Sequence, residues 1–557
     1  MRSKKNSGLP LVLPALLGFL IFYFIPFLIT IWYSFSFGAG AREFVGLDNY
    51  KNVLQNDLFL LAMKNTVRFL VTGIPIILVL SFALALLFQI PFRGERFFRL
   101  SFLYPLMLPV ASIVMVVRLL FERNGMLNRI FLEGNTDWVN TEWAFGILVL
   151  LFLWKNTGYH VLIFFSGLEM IPKEYYENAK LDGASYLICF RSITFPLMLP
   201  ILGFNFLLSM MNSFKCFREA FLIGGTHPHE SIYLLQHFMN NNFENLNYQR
   251  ISVASAAMFA AIVCVGVFAL VLYRQGKRGG KMKKRHTYYS KLIFVLMLVL
   301  SLIVLAPVIY MIVNSFAHPK EVMYMYNGEI LGLFPQKFSL MAYYKILFSE
   351  PDYLLKFWRS LGMCLLISSG QTLVGCMAGV AFAKYRFAGK KIWLSLMALF
   401  MLLPIQVTLF PNYIVLEKLQ MLDSYKSLII PGVFAPFGVI WMTLIFRTMP
   451  SEWIDAANVD GAGQFRTLFS VLMPAGKTGV VTLFVLSFID SWNMVEQPMI
   501  FIREEARYPL SVFLAGMTGT NVSLQFVCGI LSLLPVTLLF LTFRKELMEG
   551  IGDSVWR

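Results

Sequence analysis

In a chain of 557 residues that is 58% hydrophobic and only 14% charged, the side chains able to do chemistry stand out by their surroundings. The stretch W-K-N-T-G-Y-H (154–160) places Lys155, Asn156, Tyr159 and His160 inside an apolar run. On a helix, residues 155 and 159 share one face, and 156 and 160 share another. Ser209, Asn212 and Ser213 form a second polar group. Asp490, Trp492, Asn493 and Glu496 form a third, just ahead of Pro498. Polar groups inside apolar runs are costly and are functional candidates by default. Trp154, Tyr159 and Trp492 can stack on a ligand ring, while Asn156 and Asn493 can hydrogen-bond it in a plane. These are the side-chain types that hold a sugar. Lys155 has two readings. It could anchor an acidic or phosphorylated sugar. Alternatively it pairs with Asp490 or Glu496, or snorkels out of a span.

Bond-making chemistry finds less support. P-A-G-K-T-G (474–479) is close to a phosphate-binding loop, but that motif needs glycine five residues before Gly476, where Val471 stands. No zinc-protease or serine-hydrolase signature occurs. His227 and His229 in GGTHPHE fall in a loop and read as a solvated turn. Cys189, Cys216, Cys264, Cys364, Cys376 and Cys528 lack paired or ligand spacing and read as small buried hydrophobes. No catalytic residue, metal site or bound cofactor is expected of this chain.

The elements that would position these groups are membrane helices. Apolar runs near 10–36, 66–90, 97–121, 143–169, 194–217 and 252–273 are each long enough to cross a bilayer, and so are runs near 291–316, 360–383, 392–415, 427–449, 476–496 and 524–545. The first run is too long for a signal peptide, and Arg2, Lys4 and Lys5 would hold the N-terminus in the cytoplasm. The net charge of +16 comes largely from basic loops such as FRGERFFR (92–99) and KYRFAGKK (384–391). That is the positive-inside pattern, not a nucleic-acid footprint. Residues 274–291 carry eight Lys or Arg and no acid, so this segment is expected to stay cytoplasmic and reads as a solvated linker that pins topology. The expected organisation is a first half at 1–275, a basic linker at 276–290 and a second half at 291–557, with both termini cytoplasmic.

The halves are copies. AKLDGA (179–184) recurs as ANVDGA (457–462), and one offset of 278 aligns Pro172 with Pro450, Glu174 with Glu452, Glu177 with Asp455, Ala179 with Ala457, Asp182 with Asp460, Gly183 with Gly461 and Pro196 with Pro474. The fold class is therefore an all-α membrane protein with two six-helix halves in parallel repeat, which suggests a pseudo-twofold axis along the membrane normal. Each repeated phrase reads as a short helix. Proline opens it, acids fill its first turns, and glycine takes the left-handed position past its end. The result is a helix–Gly–helix hook on the cytoplasmic side, in duplicate, able to dock into a groove on a soluble partner.

IPKEYYENAKLDGA (171–184) and MPSEWIDAANVDGA (449–462) resemble the EAA loop of the integral-membrane permeases of ABC importers, here within about 171–200 and 449–478. FVGLDNY (44–50), MKNT (63–66) and ITFPLMLP (193–200) are similar to the first-subunit type of that family. APVIYMIVNSFAHPKE (306–321), AFAKYRFAGKK (381–391), LLPIQVTLFPNY (402–413) and SFIDSWNMVEQP (487–498) resemble its partner-subunit type. The D-G-A form resembles the carbohydrate branch, and two subunits are fused here in one chain. Asn178 and Asp455 depart from the family's Ala and Glu, Trp358-Arg359-Ser360 stands in place of its Asn-Ser, and GIGDSVWR ends the chain in place of a Gly-rich tail.

The resemblance implies a bacterial inner-membrane permease that is not itself an enzyme. Two cytoplasmic ATPase subunits would bind ATP and Mg and grip the hooks through Glu174, Glu177, Ala179, Asp182 and Gly183 in one and Glu452, Asp455, Ala456, Ala457, Asp460 and Gly461 in the other. An extracytoplasmic binding protein would deliver a mono- or oligosaccharide, acidic sugars included. The substrate pathway would run past Lys155, Asn156, Tyr159, Ser209, Asn212, Ser213, Trp492 and Asn493. Competing readings are a permease for iron, polyamine or phosphonate, a twelve-span secondary transporter, and, most remotely, a membrane-anchored enzyme.

Overall fold

The computed structural model describes residues 8–38, 43–123, 125, 127–128, 136–275, 290–327, 334–403, 405–517 and 522–554. The basic linker lies almost wholly outside them. Among the described residues helices dominate, and one small sheet pairs Ser36–Phe37 with Glu43–Phe44.

In the first half we number α1 (Leu9–Ser34), α2 (Asp57–Phe88), α3 (Glu95–Met107), α4 (Val110–Phe121), α5 (Trp143–Glu169), α6 (Lys173–Leu181), α7 (Phe195–Lys215), α8 (Phe217–Gly224) and α9 (Tyr248–Gln275). The second half contains α10 (Ser290–Ser315), α11 (Pro351–Lys384), α12 (Lys390–Met401), α13 (Ile405–Lys418), α14 (Lys426–Arg447), α15 (Glu452–Val459), α16 (Lys477–Trp492), α17 (Glu496–Phe501) and α18 (Val522–Ser554).

Twelve uninterrupted spans are not what forms. Among the described residues, eight helical stretches are long and apolar enough to cross a bilayer without a sharp bend, and two more candidates are bent pairs, α12 with α13 and Gln464–Ala475 with α16. The run expected at 97–121 is split into α3 and α4 at Leu108 and Pro109. Pro109 has no N–H for a continuing helix, and it forces the preceding residue into an extended conformation, as the ψ of 137° at Leu108 records. The run at 252–273 lies within α9. The bend ahead of α16 measures 87° and falls at Gly476, so P-A-G-K-T-G is a helix corner, not a strand-to-helix phosphate loop.

Prolines explain a further repeated feature. A π-helical turn at Phe190–Thr194 precedes Pro196, and its counterpart at Leu468–Leu472 precedes Pro474. A widened turn accommodates a ring that would otherwise strike the carbonyl four residues back. The same device, Leu20–Phe24 before Pro26, lies inside α1.

The halves embrace reciprocally. α1 packs on α13 of the other half, while α10 packs on α3. The Tyr23 hydroxyl of α1 donates to the Pro431 carbonyl of α14 at 3.2 Å, and Trp154 Nε1 of α5 donates to the Val304 carbonyl of α10 at 3.0 Å. Each first span thus clasps the fourth span of the opposite half, and swapping the halves reproduces the contact. This is the pseudo-twofold relation that the parallel repeat called for.

Candidate functional site

The hooks are near-identical in geometry. Past α6, Gly183 takes φ +77°. Its N–H donates to the Lys180 carbonyl at 3.0 Å, and the Ala184 N–H reaches the Ala179 carbonyl at 2.8 Å. Past α15, Gly461 also takes φ +77°, with Gly461 to Asn458 at 3.1 Å and Ala462 to Ala457 at 2.9 Å. These paired bonds satisfy helix-end carbonyls by way of a left-handed residue. A Cβ at either glycine would meet nothing within 4 Å. Backbone conformation, not space, therefore selects glycine. The prolines differ slightly from expectation. Pro172 is the residue just before α6, and Ser451, not Pro450, occupies that place for α15.

The outward face of each hook is apolar at matching positions. Leu181 is 86% exposed and its equivalent Val459 is 87% exposed, and Tyr175 with Trp453 and Leu187 with Phe465 are also exposed. Underneath, the hooks are anchored differently. Tyr176 and Thr194 share a hydrogen bond of 2.7 Å, and burial raises the Tyr176 pKa above the usual phenol range. The equivalent Ile454 and Leu472 are buried in apolar packing. Lys384 Nζ donates to the Met449 carbonyl and ties the end of α11 to the second hook.

A cavity of about 340 Å³ lies between the halves, midway along the spans. Three ion pairs stand in its wall. Lys155 Nζ reaches Glu219 Oε1 at 2.6 Å, Lys215 Nζ reaches Asp490 Oδ1 at 2.8 Å, and Arg218 Nε reaches both carboxylate oxygens of Glu496 at 2.8 and 3.0 Å. Arg218 and both glutamates are buried, while Lys215 and Asp490 face open space. Gln406 Nε2 adds a bond to Glu496 at 3.4 Å. Buried Glu219 Oε2, Asn412 Oδ1 and Gln497 Oε1 also belong to lining residues, and none has a hydrogen-bond partner.

The helices that bear these charges are held from outside. Arg118 of α4 donates to the Leu222 and Ile223 carbonyls at 2.8 and 3.0 Å, which satisfies the end of short α8. Asn493 Oδ1 accepts the Val110 N–H at the start of α4. Asp423 accepts the N–H groups of Arg503 and Glu504, and these bonds hold its pKa below the usual carboxylate range and secure the loop that follows α17.

Of the expected pathway residues, Lys155, Asn156, Tyr159, Asn212 and Asn493 line the cavity. Ser209, Ser213 and Trp492 do not. Ser209 bonds the Asn205 carbonyl beside His160, Ser213 bonds the Ser209 carbonyl, and Trp492 Nε1 donates to the Ser532 carbonyl while its ring stacks on Phe488. Each faces a packed neighbour. Lys155 is ion-paired, but with Glu219 and not with Asp490 or Glu496. Lys215, Arg218 and Glu219 sit at the end of the run 194–217, where charge is ordinary, and Gln406 is a single uncharged residue within the run 392–415, so none of the four stands out in the sequence. The offset of 278, carried past the hooks to Arg218 and Glu496, is the signal that could have found them. Outside the cavity, His229 caps the turn Glu230–Ile232 by accepting the Ser231 N–H. The described cysteines are free and buried.

Two reciprocally clasped helical halves, a cavity at their seam with ion pairs in its wall and a projecting hook on each describe a two-fold membrane transport protein. The chain belongs to the family of binding-protein-dependent transport system inner membrane components, which matches residues 73–278 and 371–545. It is 30% identical to the sulfoquinovosyl glycerol transport system permease protein SmoG of Agrobacterium fabrum over 46% of this chain and 87% of that one. It is 24% identical to the arabinooligosaccharides transport system permease protein AraQ of Halalkalibacterium halodurans over 45% of this chain and 91% of that one. Similarity extends to the sn-glycerol-3-phosphate permease protein UgpE of Escherichia coli, at 29% over 36% of this chain and 74% of that one. A bacterial ABC transporter involved in import of the polysaccharide alginate matches with a TM-score of 0.41 and 20% identity over 47% of this chain and 99% of that one. One relative therefore accounts for about half of this chain, as two fused permease subunits require.

Proposed function

We propose that this chain forms the membrane pathway of an ATP-driven carbohydrate importer, with the work of two permease subunits in one polypeptide. Family membership and the permease relatives support the importer class, and the sugar and glycerol-conjugate names among those relatives support carbohydrate cargo. The observation that carries the mechanism is the pair of matching hooks, each with large apolar side chains turned to solvent at the same three positions. Exposed large apolar groups at repeated positions suit a partner's groove.

Each hook docks on one cytoplasmic ATPase subunit, which binds the ATP and Mg that this chain does not. The basic loops support an orientation with the hooks inside the cell and the far side of the cavity toward an extracytoplasmic binding protein. ATP-driven approach of the hooks favours one of two packings of the halves, and cargo passes through the cavity as the halves rock. Within the cavity, every cation has a carboxylate partner, while Glu219, Asn412 and Gln497 retain free acceptor atoms. The half-exposed Asp490 carboxylate is a lining acceptor open to cargo hydroxyl groups.

The test replaces apolar tips without touching the buried side of either hook. The Leu181→Asp, Val459→Asp double variant and the parent chain are tagged, solubilised gently and compared for what co-purifies. We expect an ABC ATPase with the parent and a loss of at least ten-fold with the variant, at unchanged thermal stability. Equal recovery of the ATPase would defeat the docking assignment.

A further inference from the structure

Arg218 and Glu496 are 278 positions apart, the interval that superposes the two hooks. They occupy the same place in the two copies, and they touch. Under a twofold rotation, equivalent points meet only on the axis. The pair also stands at the end of the cavity away from the hooks, since α7 and α16 run from the hook side and deliver it at their far ends.

We propose that the Arg218–Glu496 pair is a latch on the pseudo-twofold axis, one that holds the halves together at the far side of the cavity and parts when the cavity opens to that side. The proposal rests on the rocking mechanism above. Rocking of one half against the other displaces axial partners in opposite directions, so no contact at this end is more directly loaded. Lys215 to Asp490 at 2.8 Å and Arg218 Nη1 to Asp490 at 3.7 Å cross the same seam.

A buried ion pair is normally too costly to break, because each charge is left unpaired. Here each half carries a substitute. Glu219, next to Arg218 in the chain, keeps Oε2 without a partner, and Gln406, in the same half as Glu496, already donates to it. A parted latch can therefore re-pair within its own half, as a two-state element requires. The opposite charges also define which halves belong together. Two first halves would set Arg against Arg on the axis, and two second halves would set Glu against Glu.

The test uses the full chain in its assembled transporter, reconstituted in proteoliposomes, and leaves the latch intact. Lys215→Cys and Asp490→Cys place thiols beside it on the two sides of the seam, and a short bis-methanethiosulfonate joins them. We expect uptake by the double-cysteine variant to fall at least ten-fold on cross-linking, measured against its own rate before treatment, and to return with reductant, while neither single-cysteine variant shows a reagent-dependent fall from its own untreated rate. Undiminished uptake by the cross-linked chain would overturn the latch. Uptake before cross-linking tests the importer reading separately. A second variant, Glu496→Gln, preserves volume and removes the charge. Its ATPase activity without binding protein should rise at least five-fold, because the far side opens without the usual trigger, and an unchanged basal rate would count against the proposal.

Discussion

Lys155 is the residue whose chemistry depends most on its neighbour. Its ammonium group lies inside the protein at 2.6 Å from Glu219, and both side chains are mostly shielded from solvent. Removing one partner of such a pair leaves a buried charge and costs about 3–5 kcal/mol, whereas replacing both by apolar groups of similar size is often near neutral. Glu219→Leu alone should therefore lower the thermal midpoint of the detergent-solubilised chain sharply, and adding Lys155→Met should recover most of the loss. A double-mutant cycle on thermal midpoints reads the coupling, and additive effects would show that the pair is not coupled. The hook glycines present the opposite case. At φ +77° an L-residue is disfavoured by roughly 1–2 kcal/mol through its own backbone, with no neighbouring group in the way, so the demand for glycine is local and was legible from the phrase itself.

At the scale of elements, short helices carry the charges and loops hold the short helices. α17 spans only Glu496–Phe501 and cannot be stable alone. Asp423 fastens the chain beyond it through the N–H groups of Glu504 and Arg503 and the guanidinium of Arg507 at 3.2 Å. These bonds lower the Asp423 pKa in the folded state, with the backbone donors as the main cause. A depressed folded pKa contributes stability that is fully present above the unfolded value, near 3.9, and is lost as pH falls through the folded value. Asp423→Ala should therefore melt at a lower temperature than the parent at pH 7, with the gap closing as pH drops below about 4. Melting curves at several pH values check this, and a gap independent of pH would exclude the carboxylate as its origin. The broken spans are an element-scale lesson as well. Apolar periodicity cannot separate one long helix from two short ones, and the interruption at Pro109 depends on a single missing donor.

For the whole molecule, the reciprocal clasp implies that the linker is not what holds the halves together. α1 and α10 each pack one face against the opposite half, and core packing is continuous across the seam. A chain divided within 276–289 and expressed as two polypeptides should then assemble at a one-to-one ratio and transport within about two-fold of the fused form. Affinity capture through a tag on one half, followed by an uptake assay, measures both. Failure to co-purify would show that fusion, not packing, maintains the pairing.

The sequence by itself determined the membrane class, the doubling of a six-helix unit and the hooks, because each depends on residues close together in the chain. Apolar length sets a span, an offset reveals a copy, and a helix end with glycine has only a few neighbours to satisfy. It also placed Lys155, Asn156, Tyr159, Asn212 and Asn493 at the seam, since polar groups in lipid-length helices turn toward protein or cavity. Only the tertiary structure decided that Ser209, Ser213 and Trp492 turn away from the cavity, that Lys155 belongs to Glu219 and that Arg218 meets Glu496. In helices covered by protein on several sides, the hydrophobic pattern does not mark which face meets the cavity. Ion pairing is settled by distance through space, and residues 64 or 278 positions apart become neighbours only when the two halves close on each other.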